Sequence, residues 1–367
     1  MRGGDLHRRR FVRGAIAGAG GAMAASFLGR GDAWRMAMAG EENRSENLSQ
    51  GGPFRDQLQR GLGGPWPDAF PLESRVERVE QKDGYRLERL SFLAEPNDRI
   101  PAILIVPGGV DADHPAPGIC VWHQHNGQYH LGKSEPAGLA GNPMHHTGVA
   151  LAREGYVVLC IDALGFEERQ NRDPAGASGQ PRLKDMAYER FVFLRYLVEG
   201  KTLAWKNILD MRRAVDYLVT RPEVRPDQLG CYGHSMGSTH TWLVGPWEPR
   251  LVALVGNCCL PTYRGIHREQ LLHCFPNFVP GIYPAADTPD IAALAAPRPL
   301  HLNFGEKDTG TPIDEARRGA LRIADAYRRA GAGGNFSSLV DPDVGHVLSD
   351  PVWQQVRAFF SRHLPVA

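Results

Sequence analysis

The ten residues LGCYGHSMGS, at positions 229–238, decide the fold that this sequence predicts. The first four are typical of a short buried strand, and the residues after Gly237 have the composition of a helix. A serine flanked by two glycines at such a strand-to-helix junction is the pattern of a nucleophile elbow. The turn is strained, and Gly233 and Gly237 leave space where the strand and the helix pass close together. The stretch therefore predicts that Ser235 is a nucleophile, the alternative being an inert serine in a tight turn.

Strands and helices alternate on both sides of this stretch. Apolar runs without period-two alternation indicate strands that are buried on both faces. Such runs lie at residues 119–122 and 156–161, and further strands are predicted at 229–232, 251–255, 300–304 and 336–340. Apolar residues have helical spacing at 205–220 and at 353–363. This alternation predicts a mostly parallel sheet with helices on both faces.

Three earlier strands have a different connection pattern. They are predicted at residues 75–81, 86–94 and 101–106. Asp83 and Gly84 form a hairpin turn signal between the first two. We therefore expect antiparallel strands on the N-terminal side of the sheet and an α/β fold class.

The segment of about 163–204 is longer than an ordinary connection between a strand and a helix. It contains an aromatic helical run at 188–198, so we predict a helical cap insertion over the site. With this cap included, residues 72–367 form one catalytic domain. Residues 40–71 are rich in Glu, Asn, Ser, Gly and Pro and are predicted to form a linker or an N-terminal arm.

The first 39 residues have the pattern of an export signal. RRRFVR at 8–13 resembles the twin-arginine signal, and a weakly apolar Ala/Gly-rich run at 15–28 is too short to span a membrane. A small-x-small cleavage site precedes Gly40, although two arginines before that site leave cleavage near Ala24 open. The pattern predicts a signal peptide at 1–39 and a periplasmic or secreted protein. A disordered basic tail is the alternative.

Charge and cysteine usage limit the classes of partner. The net charge is +1, and residues 1–39 carry seven Arg and two Asp, so the remaining chain has a net charge of −4. An acidic body argues against a nucleic-acid partner. Three of the six cysteines lie in apolar strands, as buried free thiols do: Cys120, Cys160 and Cys231. The other three leave open one disulfide in an oxidising compartment: Cys258, Cys259 and Cys274.

A serine nucleophile needs a base, and the base needs an acid that orients it. Asp308 follows the strand that begins at residue 300, and His346 follows the last predicted strand. Both positions lie at the carboxyl ends of strands, from which a loop can reach the elbow. The sequence predicts Ser235, Asp308 and His346 as a catalytic triad, with Glu306 as a rival for the acid.

An oxyanion hole needs two backbone N–H groups aimed at the developing charge. The residue after the nucleophile, Met236, supplies one. The loop after the strand that ends at Trp122 supplies the other, and we expect Gln124 to provide it, with His125 as the next choice.

Polar residues at the same edge of the sheet are predicted to line the substrate pocket. His123 and His125 lie in the oxyanion loop, and Asp162 ends a buried strand at the edge where α/β sheets bind ligands. The histidine pairs at 123/125 and 145/146 have no carboxylate or cysteine at ligand spacing. We therefore predict no metal and no cofactor, since a triad itself supplies acid, base and nucleophile.

Three motifs together resemble a known family. GHSMG at 233–237, GEKD at 305–308 and GH at 345–346 are similar to the dienelactone hydrolase-related branch of the α/β-hydrolases, which includes acetyl xylan esterase-like proteins. The resemblance covers about residues 75–367. Dienelactone hydrolases themselves have a cysteine in the elbow, whereas this chain has Ser235. The resemblance implies an α/β-hydrolase fold and suggests a sugar-ester substrate.

The sequence as a whole predicts an exported serine hydrolase that cleaves carboxylic esters through an acyl-enzyme. Its substrate is expected to be a small-molecule ester or an acylated saccharide, with a small acyl group such as acetyl. A peptidase or amidase of the prolyl oligopeptidase-like type is the enzymatic alternative. A non-catalytic binding protein on the same fold is the other alternative. The sequence leaves the acyl group, the alcohol and the oligomeric state open.

Overall fold

Nine strands form one sheet in the computed structural model, which describes residues 52–171, 179 and 181–366. The strands are β1 (Arg75–Lys82), β2 (Tyr85–Glu95), β3 (Asp98–Pro107), β4 (Ala116–Trp122), β5 (Val157–Ile161), β6 (Val224–His234), β7 (Leu251–Asn257), β8 (Leu300–Gly305) and β9 (Phe336–Asp341). Their order across the sheet is β1-β2-β3-β5-β4-β6-β7-β8-β9. The elbow strand β6 therefore lies in the middle of the parallel part.

Strand directions divide the sheet into two parts. β1, β2, β3 and β5 pair antiparallel, whereas the pairs from β5 through β4 to β9 are parallel. β4 and β5 are buried along their whole length, as their continuous apolar sequences predict. The edge strand β1 is largely exposed and rich in charged side chains, which disfavour pairing with another chain. The predicted α/β-hydrolase fold, with antiparallel N-terminal strands, is confirmed.

Helices cover both faces of the sheet. They are α1 (Gly52–Leu62), α2 (Thr147–Arg153), α3 (Asp185–Val198), α4 (Leu203–Leu218), α5 (Met236–Val244), α6 (Tyr263–Glu269), α7 (Thr288–Ala293), α8 (Ile313–Arg329) and α9 (Asp350–His363). Alternate side chains of β4 point into two apolar cores: Cys120 lies in the core with α4 and α5, and Val121 in the core with α2 and α9. None of the described helices is long and apolar enough to cross a membrane.

Part of the predicted linker or arm is helical. α1 buries Phe54, Leu58 and Leu62, and the backbone N–H of Thr202 donates to the carbonyl oxygen of Leu62. Residues 1–51, which include the predicted signal peptide, lie outside the described residues.

The segment predicted as a cap contains α3. This helix buries Glu189, Val192 and Tyr196 and exposes much of its opposite side, where Phe191 is 47% exposed. Phe193 stacks on Phe275 with ring centroids 4.7 Å apart. The aromatic run therefore divides between packing on the body of the protein and exposure to solvent.

Candidate active site

Ser235 joins the end of β6 to the start of α5. Its backbone has φ 58° and ψ −119°, a conformation that costs a non-glycine residue about 1–3 kcal/mol. A Cβ atom on Gly233 would overlap the carbonyl group of Gly237, and one on Gly237 would overlap the carbonyl oxygen of Trp122. Both positions therefore require glycine, and the elbow lies against the end of β4.

Three predicted side chains meet at this elbow. The Nε2 atom of His346 is 2.7 Å from the Oγ atom of Ser235, and its Nδ1 atom is 2.7 Å from the Oδ2 atom of Asp308. The other oxygen of Asp308 accepts a hydrogen bond from the N–H of Gly310 at 2.9 Å. A carboxylate accepts from Nδ1–H, so Nε2 keeps the lone pair that accepts the serine proton. Ser235 and Asp308 are buried, whereas the side chain of His346 is 39% exposed.

The loops that carry the acid and the base are locked together. The N–H of Lys307 donates to the carbonyl oxygen of Val344 at 2.7 Å. A Cβ atom on Gly305 would overlap the carbonyl oxygen of Gly345, so the two loops touch backbone to backbone. The distance between Asp308 and His346 is therefore set by main-chain contacts rather than by flexible side chains.

The rival acid lies elsewhere. Glu306 accepts a hydrogen bond from Arg317 at 2.8 Å, and both side chains are more than one-third exposed. The structure therefore brings Asp308, and not Glu306, to the imidazole of His346.

Two further histidines lie behind the catalytic one. The ring of His234 is 5.1 Å from that of His346, and the ring of His145 is 4.7 Å from that of His234. Burial lowers the pKa of His145 to about 4 and the pKa of His234 well below its usual value. Both rings are therefore neutral at neutral pH, and they add no positive charge that would oppose protonation of His346.

A cysteine lies beside the acid and the base. Cys258 has φ 57° and its Sγ atom is 3.2 Å from the carbonyl oxygen of Val347. Ligand atoms of Cys258, Asp308 and His346 lie within 4.8 Å of one another, which would allow them to hold a metal ion. Burial raises the pKa of Cys258 to about 12, so the thiol is protonated at neutral pH.

All six cysteines are free thiols in the structure, so the disulfide that the sequence left open is not formed.

The oxyanion loop, defined here as residues 123–131, starts where β4 touches the elbow. In the described part of the chain, the N–H of Gln124 donates to no backbone or side-chain acceptor. Its side chain is buried and donates to Glu135 at 3.0 Å. Met236 begins α5, and the first N–H groups of a helix have no partner within that helix. These two N–H groups are therefore the candidates for binding the oxyanion.

The two loop histidines form hydrogen bonds within the protein. His123 accepts from the N–H of Ala163 through Nε2, at 3.0 Å, and its Nδ1 is 2.7 Å from the carbonyl oxygen of Gln124. His125 accepts from the N–H of Gly127 through Nδ1, at 2.9 Å, and its Nε2 is 2.9 Å from Glu189. Both nitrogens of each ring thus bind groups of the protein, and the lining of the substrate pocket by these two rings stays a prediction.

The structure also corrects the predicted place of Asp162 in the substrate pocket. Asp162 is fully buried, and its carboxylate accepts from the N–H and the Nζ of Lys133, at 2.7 and 2.8 Å. Lys133 Nζ also pairs with Glu167 and Glu168, each at 2.8 Å. These three carboxylates form the other described group that could hold a metal ion, but Nζ of Lys133 already lies 2.8 Å from an oxygen of each. Asp162 does follow β5 at the carboxyl edge of the sheet, but its carboxylate is buried and paired with Lys133, a residue remote in the sequence.

A small apolar cluster, called here the apolar wall, includes the residue that follows the nucleophile. It consists of Tyr129, Ala163, Phe166 and Met236, and Cys274 packs against it. The rings of Tyr129 and Phe166 are stacked with centroids 5.0 Å apart. This apolar wall places large, rigid side chains next to the residue that follows Ser235.

The family comparison agrees with this geometry. The model of the Abhydrolase family matches residues 65–330, a range that includes Ser235 and Asp308. The chain is a member of the Abhydrolase family. YtaP of Bacillus subtilis, a protein named as a hydrolase, is 30% identical over 302 residues, which are 78% of this chain and 94% of that protein. The α/β-hydrolase resemblance inferred from the three motifs is thereby confirmed.

Solved structures share the fold of this Abhydrolase chain at low sequence identity. A glucuronoyl esterase from Solibacter usitatus has a TM-score of 0.59 and 16% identity, and the match covers 83% of this chain and 90% of that one. Acetyl xylan esterase 1 from a Thermoanaerobacterium species has a TM-score of 0.54 and 17% identity, and the match covers 85% and 93%. At this identity the likeness establishes the fold and not the substrate.

Sequence reasoning did not find several residues of this site. The sequence suggests His145 only as a metal ligand and Cys258 only as a disulfide partner, and Glu189 belongs to no recognisable motif. His234 stands inside the glycine-serine-glycine motif, but a residue at that position carries no fixed role. Only the folded backbone shows that these side chains lie beside the triad or its loops.

Proposed function

We propose that this protein hydrolyses carboxylic esters through an acyl-enzyme formed on Ser235. The unbroken contact from Asp308 through His346 to Ser235, with both distances at 2.7 Å, is the observation that carries the proposal. It supplies a nucleophile, a base and an orienting acid in the geometry that acyl transfer needs.

The chemistry proceeds in two halves. His346 Nε2 takes the proton of Ser235 as the hydroxyl oxygen attacks the ester carbonyl. The imidazolium, stabilised by Asp308, then donates that proton to the departing alcohol oxygen, which leaves the acyl group on the serine. In the second half His346 takes a proton from water, the hydroxide oxygen attacks the acyl-enzyme, and the serine regains its proton as the acid departs.

The N–H groups of Met236 and Gln124 are proposed to bind the oxyanion in both halves. Their fixed dipoles face the charge that develops on the carbonyl oxygen, and each such donor is worth about 10²–10³ in rate. The contact of Gly237 with the end of β4 supports this assignment, because it holds the oxyanion loop against the start of α5.

An ester substrate with a small acyl group is the favoured class. Similar folds carry the names glucuronoyl esterase and acetyl xylan esterase, which supports an ester of a saccharide over an amide. The apolar wall of Tyr129, Ala163, Phe166 and Met236 supports a short acyl chain, because its rings cluster with the residue that directly follows Ser235. Export to the periplasm or the medium completes the proposal, on the basis of the sequence of residues 1–39 alone.

A panel of substrates tests this proposal. We expect the highest kcat/KM for acetyl or propionyl esters of p-nitrophenol, a steep fall by the octanoyl ester, and release of acetate from acetylated saccharides. Ser235→Ala should abolish turnover at nearly unchanged Tm, and a fluorophosphonate probe should label the wild type but not this variant. Activity that rises towards long acyl chains would refute the small pocket. Turnover of prolyl p-nitroanilides alone would indicate the peptidase alternative, and no turnover at all a binding protein.

A further inference from the structure

The middle of the cap helix α3 contains a buried carboxylate that the proposed reaction does not use. Glu189 is 2% exposed, although residues one turn before and two residues after it are strongly exposed: Met186 at 64% and Phe191 at 47%. A buried carboxylate is costly unless hydrogen bonds satisfy it. Its partners therefore show what keeps it there.

Both partners of Glu189 belong to the oxyanion loop. The hydroxyl of Tyr129 donates to Oε2 of Glu189 at 2.7 Å, and Nε2 of His125 lies 2.9 Å from the same oxygen. Burial and the hydrogen bond to Glu189 raise the pKa of Tyr129, so its hydroxyl keeps its proton and remains a donor. Glu189 thus holds the loop at two points, on either side of its turn.

The protonation of His125 follows from its other contact. Its Nδ1 accepts from the N–H of Gly127 at 2.9 Å, so the ring proton is on Nε2 and is donated to Glu189. The carboxylate of Glu189 therefore fixes the ring of His125, and this ring holds the backbone of Gly127 in the oxyanion loop. His125 directly follows Gln124, whose N–H is the proposed oxyanion donor.

Aromatic packing links the residues that Glu189 holds to Met236, the residue that follows the nucleophile. Phe166 contacts the rings of His125 and Tyr129, each with centroids 5.0 Å apart. Tyr129, Phe166 and Met236 belong to one apolar cluster. Tyr129 thus shares a cluster with the residue that carries the other oxyanion N–H, and His125 contacts that cluster through the rings of Tyr129 and Phe166.

We propose that Glu189 is a positioning residue that fixes the oxyanion hole from the cap helix. This inference rests on the proposed function, because it assumes that the N–H of Gln124 binds a developing negative charge. Glu189 contacts neither the nucleophile nor the base, and it acts through His125 and Tyr129. The helix α3 then contributes to catalysis, because the hydrogen bonds of Glu189 to the oxyanion loop determine kcat.

The decisive comparison uses Glu189→Leu and Glu189→Gln. Leucine fills the space without accepting a hydrogen bond, whereas the amide oxygen of glutamine accepts from both donors. We expect Glu189→Leu to lower kcat for p-nitrophenyl acetate by about 10- to 100-fold with a small change in KM, because slight misplacement of a transition-state contact acts on kcat. Glu189→Gln should restore most of the loss. Glu199→Leu is the matched control: this exposed glutamate follows the same helix and pairs only with Arg195 among the described residues, so its kcat should stay at the wild-type level.

Two readouts separate positioning from a merely structural role. The inhibition constant of a trifluoromethyl ketone, whose adduct carries an oxyanion, should rise in Glu189→Leu in parallel with the loss of kcat/KM. Tyr129→Phe removes one of the two donors and keeps the ring, so its effect on kcat should be smaller and should not add to that of Glu189→Leu. If Glu189→Leu does not fold, Tyr129→Phe still tests the proposal by its kcat at unchanged Tm.

The failure of this inference can be told from failure of the proposed function. The rate at which a fluorophosphonate labels Ser235 depends on the oxyanion hole for any substrate class, and Glu189→Leu should slow it as well. Wild-type protein that is labelled but cleaves no ester refutes the proposed substrate and leaves this test intact. A Glu189→Leu variant with unchanged kcat and labelling rate, or with a loss confined to KM, overturns the positioning role.

Discussion

Asp308→Asn offers a sharp test of the triad, because the structure fixes how the new amide would lie. Oδ1 of Asp308 accepts from the N–H of Gly310, so this position must hold the carbonyl oxygen of an asparagine. The NH₂ group must then face Nδ1 of His346, at the position of the oxygen that is now 2.7 Å away. An amide that donates to Nδ1 forces the ring proton onto Nε2, where it blocks acceptance of the serine proton.

The expected loss follows from this change of tautomer. A triad with the wrong imidazole tautomer loses about 10⁴ in kcat, which corresponds to about 5.4 kcal/mol in activation free energy. Shape and most packing are conserved, so we expect the Tm to change little. Steady-state hydrolysis of p-nitrophenyl acetate measures the loss, after active sites are counted by fluorophosphonate labelling of the folded fraction.

Glu306→Gln is the control for this prediction. Glu306 pairs with Arg317 at the surface and not with His346, so kcat should stay near that of the wild type. A surface ion pair contributes about 0–1 kcal/mol to the free energy of unfolding, so the variant should also remain folded. If Asp308→Asn kept activity within about tenfold of the wild type, the tautomer argument would be wrong. A greater loss of kcat in Glu306→Gln than in Asp308→Asn would identify Glu306 as the acid of the triad.

Two further predictions concern stability and export. Burial lowers the pKa of His145 to about 4, against about 6.5 in the unfolded chain, so the unfolded state binds a proton that the native state does not between these values. The free energy of unfolding should therefore fall as pH falls from about 6.5 to about 4. In urea unfolding curves, His145→Leu should reduce the slope of the free energy of unfolding against pH by up to about 1.4 kcal/mol per pH unit. An unchanged slope in His145→Leu would contradict this prediction. For export, joint replacement of Arg8→Lys, Arg9→Lys and Arg10→Lys should retain the protein in the cytoplasm, and N-terminal sequencing of exported wild type should begin near Gly40. Exported protein that still begins at Met1 would refute cleavage.

Local sequence predicted the parts of the site that depend on local geometry. The elbow follows from residues 229–238 because the two glycines and the serine satisfy one tight junction within a few residues. Asp308 and His346 follow because parallel strands end at one edge of the sheet, which limits the candidates to the loops at that edge. The continuous apolar strands likewise predicted the parallel part of the sheet, since burial on both faces leaves no polar alternation.

The contacts between remote segments could not be predicted in the same way. Lys133 and Asp162 are 29 residues apart, and only their common burial shows that the lysine neutralises the aspartate. Glu189 and Tyr129 are 60 residues apart, and a glutamate in a helix is ordinarily a solvent-exposed charge. One sequence gives no signal for such pairs, because each residue alone is compatible with the surface.

The locked loops of the acid and the base also determine where this chain tolerates added length. Gly305 touches the backbone of Gly345, so an inserted residue in either loop would separate Asp308 from His346. The turn between α8 and β9, at Gly333–Asn335, lies at the opposite end of the parallel strands. Its glycines are exposed, and a Cβ atom at Gly334 would meet no neighbour. A fusion partner or a circular-permutation break belongs at this turn, where it leaves the spacing of the catalytic groups unaltered.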